Sequence, residues 1–375
     1  MLKKHGFFIA SLLLLILAGC NTSQKLSKQH IADYTEIESY LQSLIDTSGI
    51  PGISVAITKG EDIMYINSFG VANTEHHTQL KPKHIFHIAS VSKTFSATAI
   101  MQLHERGKID INKPLINYLP YFKLKDERYK EITIKQMLNH TSGMPDIDDY
   151  EWSKGISDNG AAERFTRSLS DSILISQPGA AYHYSNIAFD IMADLIAKVS
   201  GISFEKYVKE NILNPLGMKE SSFYYPEIKK SLRTSPHAGN PPKVLSVYPY
   251  NRMHAPSSTL NTNVAELSRW AIANMHNGKY KNTQILSPQT HAMMMTPTFT
   301  VNKERNISIG LSWFMYLYKG ITNYEHGGSD DGFRSLLTLI PEKEIGIIIL
   351  SNIETIRIYD TRNKIRDILL AKYNK

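Results

Sequence analysis

The chain has 375 residues, 42% hydrophobic and 21% charged, the balance of a soluble globular protein and not of a disordered or fibrous chain. Its formal net charge of +7 comes from 42 basic against 35 acidic residues. The basic residues are scattered, with no stripe or aromatic-interleaved cluster, which argues against a nucleic-acid partner.

The length exceeds what one hydrophobic core usually organises, so two packed lobes are expected. The first segment stands apart from both. Lys3 and Lys4 precede an apolar run from Phe7 to Leu17, followed by Leu17-Ala18-Gly19-Cys20. That run falls short of the roughly 20 residues a spanning helix needs. Leu-Ala-Gly-Cys resembles the lipobox of bacterial lipoproteins, which implies that 1–19 are removed and Cys20 becomes an acylated N-terminus. The alternative is a signal peptide whose cysteine is incidental. Cys20 is the only cysteine, so no internal disulfide can form. Residues 20–30 are polar and read as a tether. Removing Lys3 and Lys4 leaves 40 basic against 35 acidic residues, or +5. The expectation is an exported bacterial lipoprotein, held on the periplasmic or outer face by lipid on Cys20 and not spanning the membrane.

The remainder, 31–375, reads as one domain. Ile37, Tyr40, Leu41, Leu44 and Ile45 recur at helical spacing, and Gly49 with Pro51-Gly52 closes that helix. Ile53–Ile57 and Ile63–Ile66, split by Lys59-Gly60-Glu61-Asp62, predict a β-hairpin. From Val91 to Met101 apolar residues occupy nearly every face, as in a buried helix, which ends near Gly107. Ile187–Val199, stopped by Gly201, and Val264–Met275 are further helices. Ser235–Pro242 reads as a surface loop. Ile309–Leu317, Ser335–Ile340 and Ile345–Leu350 predict strands, the last two joined by a turn at Pro341–Glu344. A closing helix carries Ile365, Ile368 and Leu369. Strands at both ends with helices between them imply an α+β fold. Its antiparallel sheet draws on about 31–90 and 300–375, flanked by terminal helices, with an all-helical lobe inserted at about 91–299.

Three short motifs carry the chemistry. Ser90-Val91-Ser92-Lys93 opens the buried helix, and the i,i+3 spacing sets Lys93 on the same face as Ser90. Burial lowers an amine's pKa, so Lys93 can take the proton of Ser90. A structural reading makes Ser90 a helix cap. Ser203-Phe204-Glu205-Lys206 repeats the pattern after Gly201 and reads as a cap alone. Tyr184-Ser185-Asn186 lies between a Pro178-Gly179 turn and the start of a helix, a rigid support. Tyr184 beside a lysine ammonium suits a proton shuttle, its charged form favoured by that cation. Ser185 or Asn186 could instead simply cap the helix. Tyr65-Ile66-Asn67 and Tyr280-Lys281-Asn282 repeat the pattern in a strand and a turn.

His326-Gly327-Gly328 ends a strand predicted over Thr322–Glu325. Its glycines suit a close approach to the backbone, as by a substrate carbonyl, or else a bulge. A backbone N–H near Ser329, with that of Ser90, could form an oxyanion hole. His237-Ala238-Gly239 repeats the pattern between prolines. His140, in Leu138-Asn139-His140-Thr141-Ser142-Gly143-Met144-Pro145, reads as structural, part of a locked helix end. No metal-ligand spacing, Walker loop or dinucleotide fingerprint is present, so neither a metal nor any other cofactor is expected.

Taken together, these residues resemble the penicillin-recognising serine hydrolases, which include class C β-lactamases, D-alanyl-D-alanine carboxypeptidases and related esterases. The likeness extends to Leu138–Pro145, to Pro178-Gly179 and to His254-Ala-Pro-Ser-Ser-Thr-Leu-Asn-Thr262. It also takes in Gly332-Phe333. It implies a cleft between an α/β lobe and a helical lobe, with Ser90 as nucleophile, Lys93 as base and Tyr184 as proton relay. Asn186 would hold the amide of the acyl side chain. Class C enzymes carry Lys-Thr-Gly where this chain has His326-Gly327-Gly328. The cation could survive as histidine, but the threonine hydroxyl is gone, and Arg334 is a candidate replacement charge. The expectation is poor β-lactam turnover and a peptide or ester substrate. The alternative is a lipoprotein that binds β-lactams or cell-wall peptides without turning them over.

Overall fold

The computed structural model describes residues 34–373; the leader, the tether and Cys20 lie outside the described residues. Helix α1, Thr35–Ser48, buries Ile37 and Leu41 and ends at Gly49, whose φ of +66° is the left-handed conformation that glycine adopts freely. It leads into a hairpin of β1, Gly52–Lys59, and β2, Asp62–Asn73, with a short β3 at Thr78–Gln79. The C-terminal portion adds β4 Phe299–Asn302, β5 Ile307–Ile309, β6 Phe314–Tyr318, β7 Ile321–Asp330, β8 Phe333–Ile340 and β9 Ile345–Ser351.

Among the described residues these strands form one nine-stranded sheet in the order β4-β5-β6-β7-β8-β9-β1-β2-β3. Every neighbouring pair is antiparallel, and β9 pairs with β1 from Ile53 opposite Ser351 to Lys59 opposite Ile345. The N-terminal hairpin and the C-terminal strands therefore join inside one sheet. This is the antiparallel, mixed α+β architecture expected from the sequence.

The period-two alternation of strand side chains decides which layer covers which face. Ile53, Val55 and Ile57 of β1, with Ile345, Ile347 and Ile349 of β9, pack on α1 and on the closing helix α5, Ile358–Tyr373. Ala56, Ile348 and Leu350 point the other way, into the larger core shared with the inserted helices. Three of those helices matter below: α2, Ser92–Glu105; α3, Asn186–Ser200; and α4, Val264–Met275. Every residue from Ser92 to Leu103 is buried, as the all-round apolar pattern of this segment predicts. Phe95 of α2 stacks on Trp270 of α4 with ring centres 3.9 Å apart.

Three expectations need correction. Ile309–Leu317 is not one strand: the chain turns back between β5 and β6 through Gly310–Trp313. Gly310 lies so close to the Met294 carbonyl that a Cβ there would stand 2.1 Å from its oxygen, and Ser312 has φ +72°. The strand before His326 does not stop at Glu325 but runs to Asp330, in unbroken register from Tyr324 opposite Leu339 to Asp330 opposite Phe333. The bulge reading of the glycines therefore fails. Nor is Ser235–Pro242 wholly a surface loop. His237 is fully buried, its ring bonded to the Asn352 carbonyl at 2.9 Å and to the Thr74 N–H at 3.2 Å.

Candidate active site

Ser90 sits in a single 3-10 turn, Ala89–Val91, immediately before α2. The turn is held from two sides: the Ile88 carbonyl accepts the Ser335 hydroxyl of β8 at 2.6 Å, and the Ile88 N–H donates to the Leu260 carbonyl at 3.0 Å. Neither cap position flanking the turn and α2 makes a side-chain capping bond, so Ser90 is not spent as a cap. In the second Ser-x-x-Lys, Ser203 is a cap, accepting the Lys206 N–H at 3.4 Å.

One turn beyond Ser90, Lys93 is fully buried and its three donors are all used. Its Nζ donates to Ser90 Oγ at 3.0 Å, to Asn186 Oδ1 at 2.5 Å and to the Ser257 carbonyl at 2.9 Å. Burial pulls its pKa down to about 8, against the raising influence of Asp190, Asp330 and Asp146. At pH 7 that leaves roughly 10% of the amine uncharged.

Asn186 is the first residue of α3, and Ser185 caps that helix by accepting the Ala188 N–H at 3.1 Å. The capping role thus falls to Ser185 and leaves Asn186 for the site. Asp146 accepts both the Asn186 backbone N–H at 2.7 Å and its Nδ2 at 2.9 Å. An acceptor on the amide nitrogen turns the amide oxygen toward Lys93.

Tyr184 faces the same point. Lys93 Nζ stands 5.0 Å from the centre of its ring. Burial pushes the phenol well above its ordinary value, with a hydrogen bond to Ser90 opposing. The expectation that the neighbouring cation would favour the charged form is overturned, because desolvation outweighs it. Tyr184 is a neutral phenol in hydrogen-bond contact with Ser90. Behind it, His140 has φ +59° and accepts the Ser185 N–H on Nδ1 at 3.1 Å. Burial, with Lys93 nearby, drives His140 well below its ordinary pKa, so it stands as an uncharged support.

Across the cleft, His326 is buried, its Nδ1 bonded to the Gly327 carbonyl at 2.9 Å. Burial, reinforced by Lys93, lowers its pKa to about 3. The cation suggested for this position is therefore absent, since a buried imidazole beside an ammonium gives up its proton. The glycines answer to neighbours within the protein. A Cβ on Gly328 would meet Ser335 Oγ at 2.2 Å and the Ile88 carbonyl at 2.3 Å, and one on Gly327 would meet the Tyr359 hydroxyl at 2.4 Å. Ser329 is exposed at the rim opposite Arg334. Arg334 lies on the cleft wall, donating to the Asp330 and Phe333 carbonyls at 3.2 and 2.9 Å.

Ser90, Tyr184, Asn186, His326, Gly327, Gly328 and Ser329 line one cleft of about 1110 Å³, with Lys93 beneath its floor. Asp146, Tyr150 and Tyr359 also line it, and the Ser257 carbonyl belongs to the Lys93 cage, yet none was singled out from the sequence. Ser257 falls within the His254–Thr262 stretch and Asp146 directly follows Leu138–Pro145, so proximity to those segments was the available signal; Tyr359 had none. Among the described residues no cluster of three or more His, Cys, Asp or Glu side chains could hold a metal.

The chain matches the Beta-lactamase family over residues 37–370, and it belongs to that family. It is 27% identical over 329 residues to Protein flp of Staphylococcus aureus strain COL, covering 85% of this chain and 63% of that protein. It thus spans less than two thirds of that relative's length. The octameric penicillin-binding protein homologue of Pyrococcus abyssi superposes with a TM-score of 0.74 at 25% identity, covering 86% of this chain and 74% of the other. A class C β-lactamase in complex with cefoxitin gives 0.77 at 20% identity, covering 92% and 99%, a likeness of fold.

Proposed function

We propose that this chain is a serine hydrolase that works through an acyl-Ser90 intermediate on an amide or ester. The observation that carries the reading is the 3.0 Å contact between Ser90 Oγ and a buried Lys93 whose pKa is lowered to about 8. Uncharged Lys93 removes the hydroxyl proton as Oγ attacks the substrate carbonyl. The backbone N–H groups of Ser90 and Ser329 receive the developing oxyanion. Lys93 then returns the proton through the neutral phenol of Tyr184 to the leaving group. In the second half, water attacks the acyl-enzyme and its proton travels the reverse way, restoring Ser90. Asn186 holds Lys93 in place and offers its amide to the acyl chain.

With an uncharged His326 and no side chain at Gly327, D-Ala-D-Ala-type peptides or short esters are favoured over efficient β-lactam hydrolysis. The scheme calls for no cofactor. The lipobox-like Leu17–Cys20 supports anchoring of the exported enzyme to a bacterial membrane by lipid on Cys20. The test is labelling by a fluorophosphonate and a fluorescent penicillin, followed by a panel of β-lactam, D-Ala-D-Ala peptide and short-ester substrates. Labelling and turnover should vanish in Ser90→Ala. Full hydrolysis by that variant would disprove the assignment, and a stable acyl-enzyme without turnover would make the chain a binding lipoprotein.

A further inference from the structure

Behind Lys93 lies a second pair of buried groups that the proton transfers do not use. Asp190 follows Asn186 by one turn of α3, and the i,i+4 spacing puts it on the same face, the one that reaches Lys93. Asp190 is fully buried, and its Oδ2 is bonded to His254 Nδ1 at 2.8 Å. Its other oxygen, Oδ1, is buried with no hydrogen-bond partner among the described residues. A buried carboxylate that is only half satisfied is costly to keep. An opposite charge close by offsets that cost, and Lys93 supplies one. Burial lowers the Lys93 pKa; of the carboxylates that oppose burial, Asp190 acts most strongly, ahead of Asp330 on β7 and Asp146. His140 and His326, which also face the amine, are uncharged.

His254 is itself clamped. Its imidazole meets Tyr150, Trp152 and Phe165 edge to face, with ring centres 5.0, 5.9 and 5.3 Å away. Its backbone N–H donates to the Asn251 carbonyl at 2.9 Å, and its own carbonyl accepts the Ser257 hydroxyl at 3.2 Å. The helical turn that follows, Ala255–Ser258, is tied to α2 by the Ser96 hydroxyl, which donates to the Pro256 carbonyl at 2.7 Å. That turn presents the Ser257 carbonyl to Lys93 Nζ at 2.9 Å. The Asp190–His254 contact therefore bears on Lys93 twice, by charge from α3 and by placing a backbone acceptor.

We propose that Asp190 and His254 are a positioning pair for Lys93. His254, held by Asp190, fixes the Ser257 carbonyl that receives the amine, and the carboxylate stabilises the ammonium formed when Lys93 takes the Ser90 proton. The Ser90 O–H bond breaks and a Lys93 N–H bond forms; no proton passes to Asp190. This rests on the acyl-Ser90 reading and deepens it.

The test follows the rate of fluorophosphonate labelling of Ser90 against pH in wild type and in Asp190→Asn, a change of equal shape that leaves His254 an acceptor. The midpoint, near pH 8 in wild type, should move down by roughly half a unit or more. The rate above the midpoint should fall roughly tenfold, because the amine becomes a weaker base. An unmoved midpoint in folded Asp190→Asn would overturn the proposal, since packing damage lowers the rate without shifting the titration. If that variant does not fold, His254→Phe keeps a ring among the three aromatics and gives Asp190 no donor. With p-nitrophenyl acetate its kcat should fall roughly tenfold at constant KM, because neither residue lines the cleft; an unchanged kcat rejects the pair. Absence of labelling in wild type would sink the hydrolase reading alone. Urea unfolding against pH then decides the pair: the stability gained as Lys93 loses its proton should set in at lower pH in Asp190→Asn, and an identical onset rejects it.

Discussion

The imidazole of His140 lies face to face with the phenol of Tyr184, ring centres 4.1 Å apart and planes 25° from parallel. The same imidazole accepts the Ser185 N–H, so one side chain fixes both the ring of Tyr184, the proposed proton relay, and the start of the helix that carries Asn186.

Replacing His140 therefore touches fold and rate together. His140→Ala leaves a buried N–H without its acceptor, at a cost of about 1–3 kcal/mol in urea unfolding, and adds strain at a φ of +59°. Asn tolerates that backbone better, so His140→Asn should be the more stable of the two. Both should lower kcat, since Tyr184 loses its stacking partner. Undiminished turnover by a folded His140→Asn would show that the stack does not position Tyr184.

In the proposed mechanism Lys93 sets the pH dependence of acylation. With a pKa of about 8, its uncharged fraction rises from roughly 10% at pH 7 to half at pH 8. Single-turnover acylation should climb over that interval and level off near pH 9, and Lys93→Met should abolish it. A rate flat from pH 6 to 9 would move the base role away from Lys93.

The same shift has a stability consequence. The folded-state pKa lies below the unfolded value of 10.5, so the buried ammonium opposes folding fully below pH 8. The penalty, about 3 kcal/mol, is relieved as pH rises from 8 to 10.5. Wild type should gain stability relative to Lys93→Met over that window. A constant difference would mean that Lys93 is not titrating in the cage.

His326 acts at the acid end. Its pKa falls from 6.5 to about 3 on folding, so the unfolded chain takes up the proton first and stability is lost as pH falls from 6.5 toward 3. The full effect is about 5 kcal/mol. His326→Asn should flatten unfolding free energy against pH over that range, whereas an unaltered slope would assign the acid sensitivity elsewhere.

Gly328→Ala should be among the most damaging small changes. The new methyl meets the Ile88 carbonyl and Ser335 Oγ, which together hold the turn before Ser90. Relief requires β7 to move off that turn. We expect destabilisation of about 1–3 kcal/mol and loss of Ser90 labelling in the folded fraction. Normal labelling would show that strand and turn can separate without consequence.

Local order was legible wherever it is set by neighbours in the chain. The periodicity of Ile37–Ile45, the stop at Gly49, the cap at Ser203 and the turn at Pro341–Glu344 all follow from residues a few positions apart. The break at Gly310–Trp313 was hidden, because its cause is the Met294 carbonyl pressing on Gly310. The charge of His326 was misjudged for a similar reason: protonation depends on burial and on Lys93, which is 233 positions away in the chain.

By itself the sequence determined which groups are present and in what order: a hydroxyl and an amine one helical turn apart, a phenol and an amide at a helix start, and glycines in a strand. Those are properties of spacing and backbone preference, and spacing survives in any correct fold. Only the tertiary structure decided which groups keep their protons and that Tyr359 reaches Gly327. Desolvation and contact between distant segments are fixed by packing, and packing exists only once the N-terminal hairpin and the C-terminal strands have joined in one sheet.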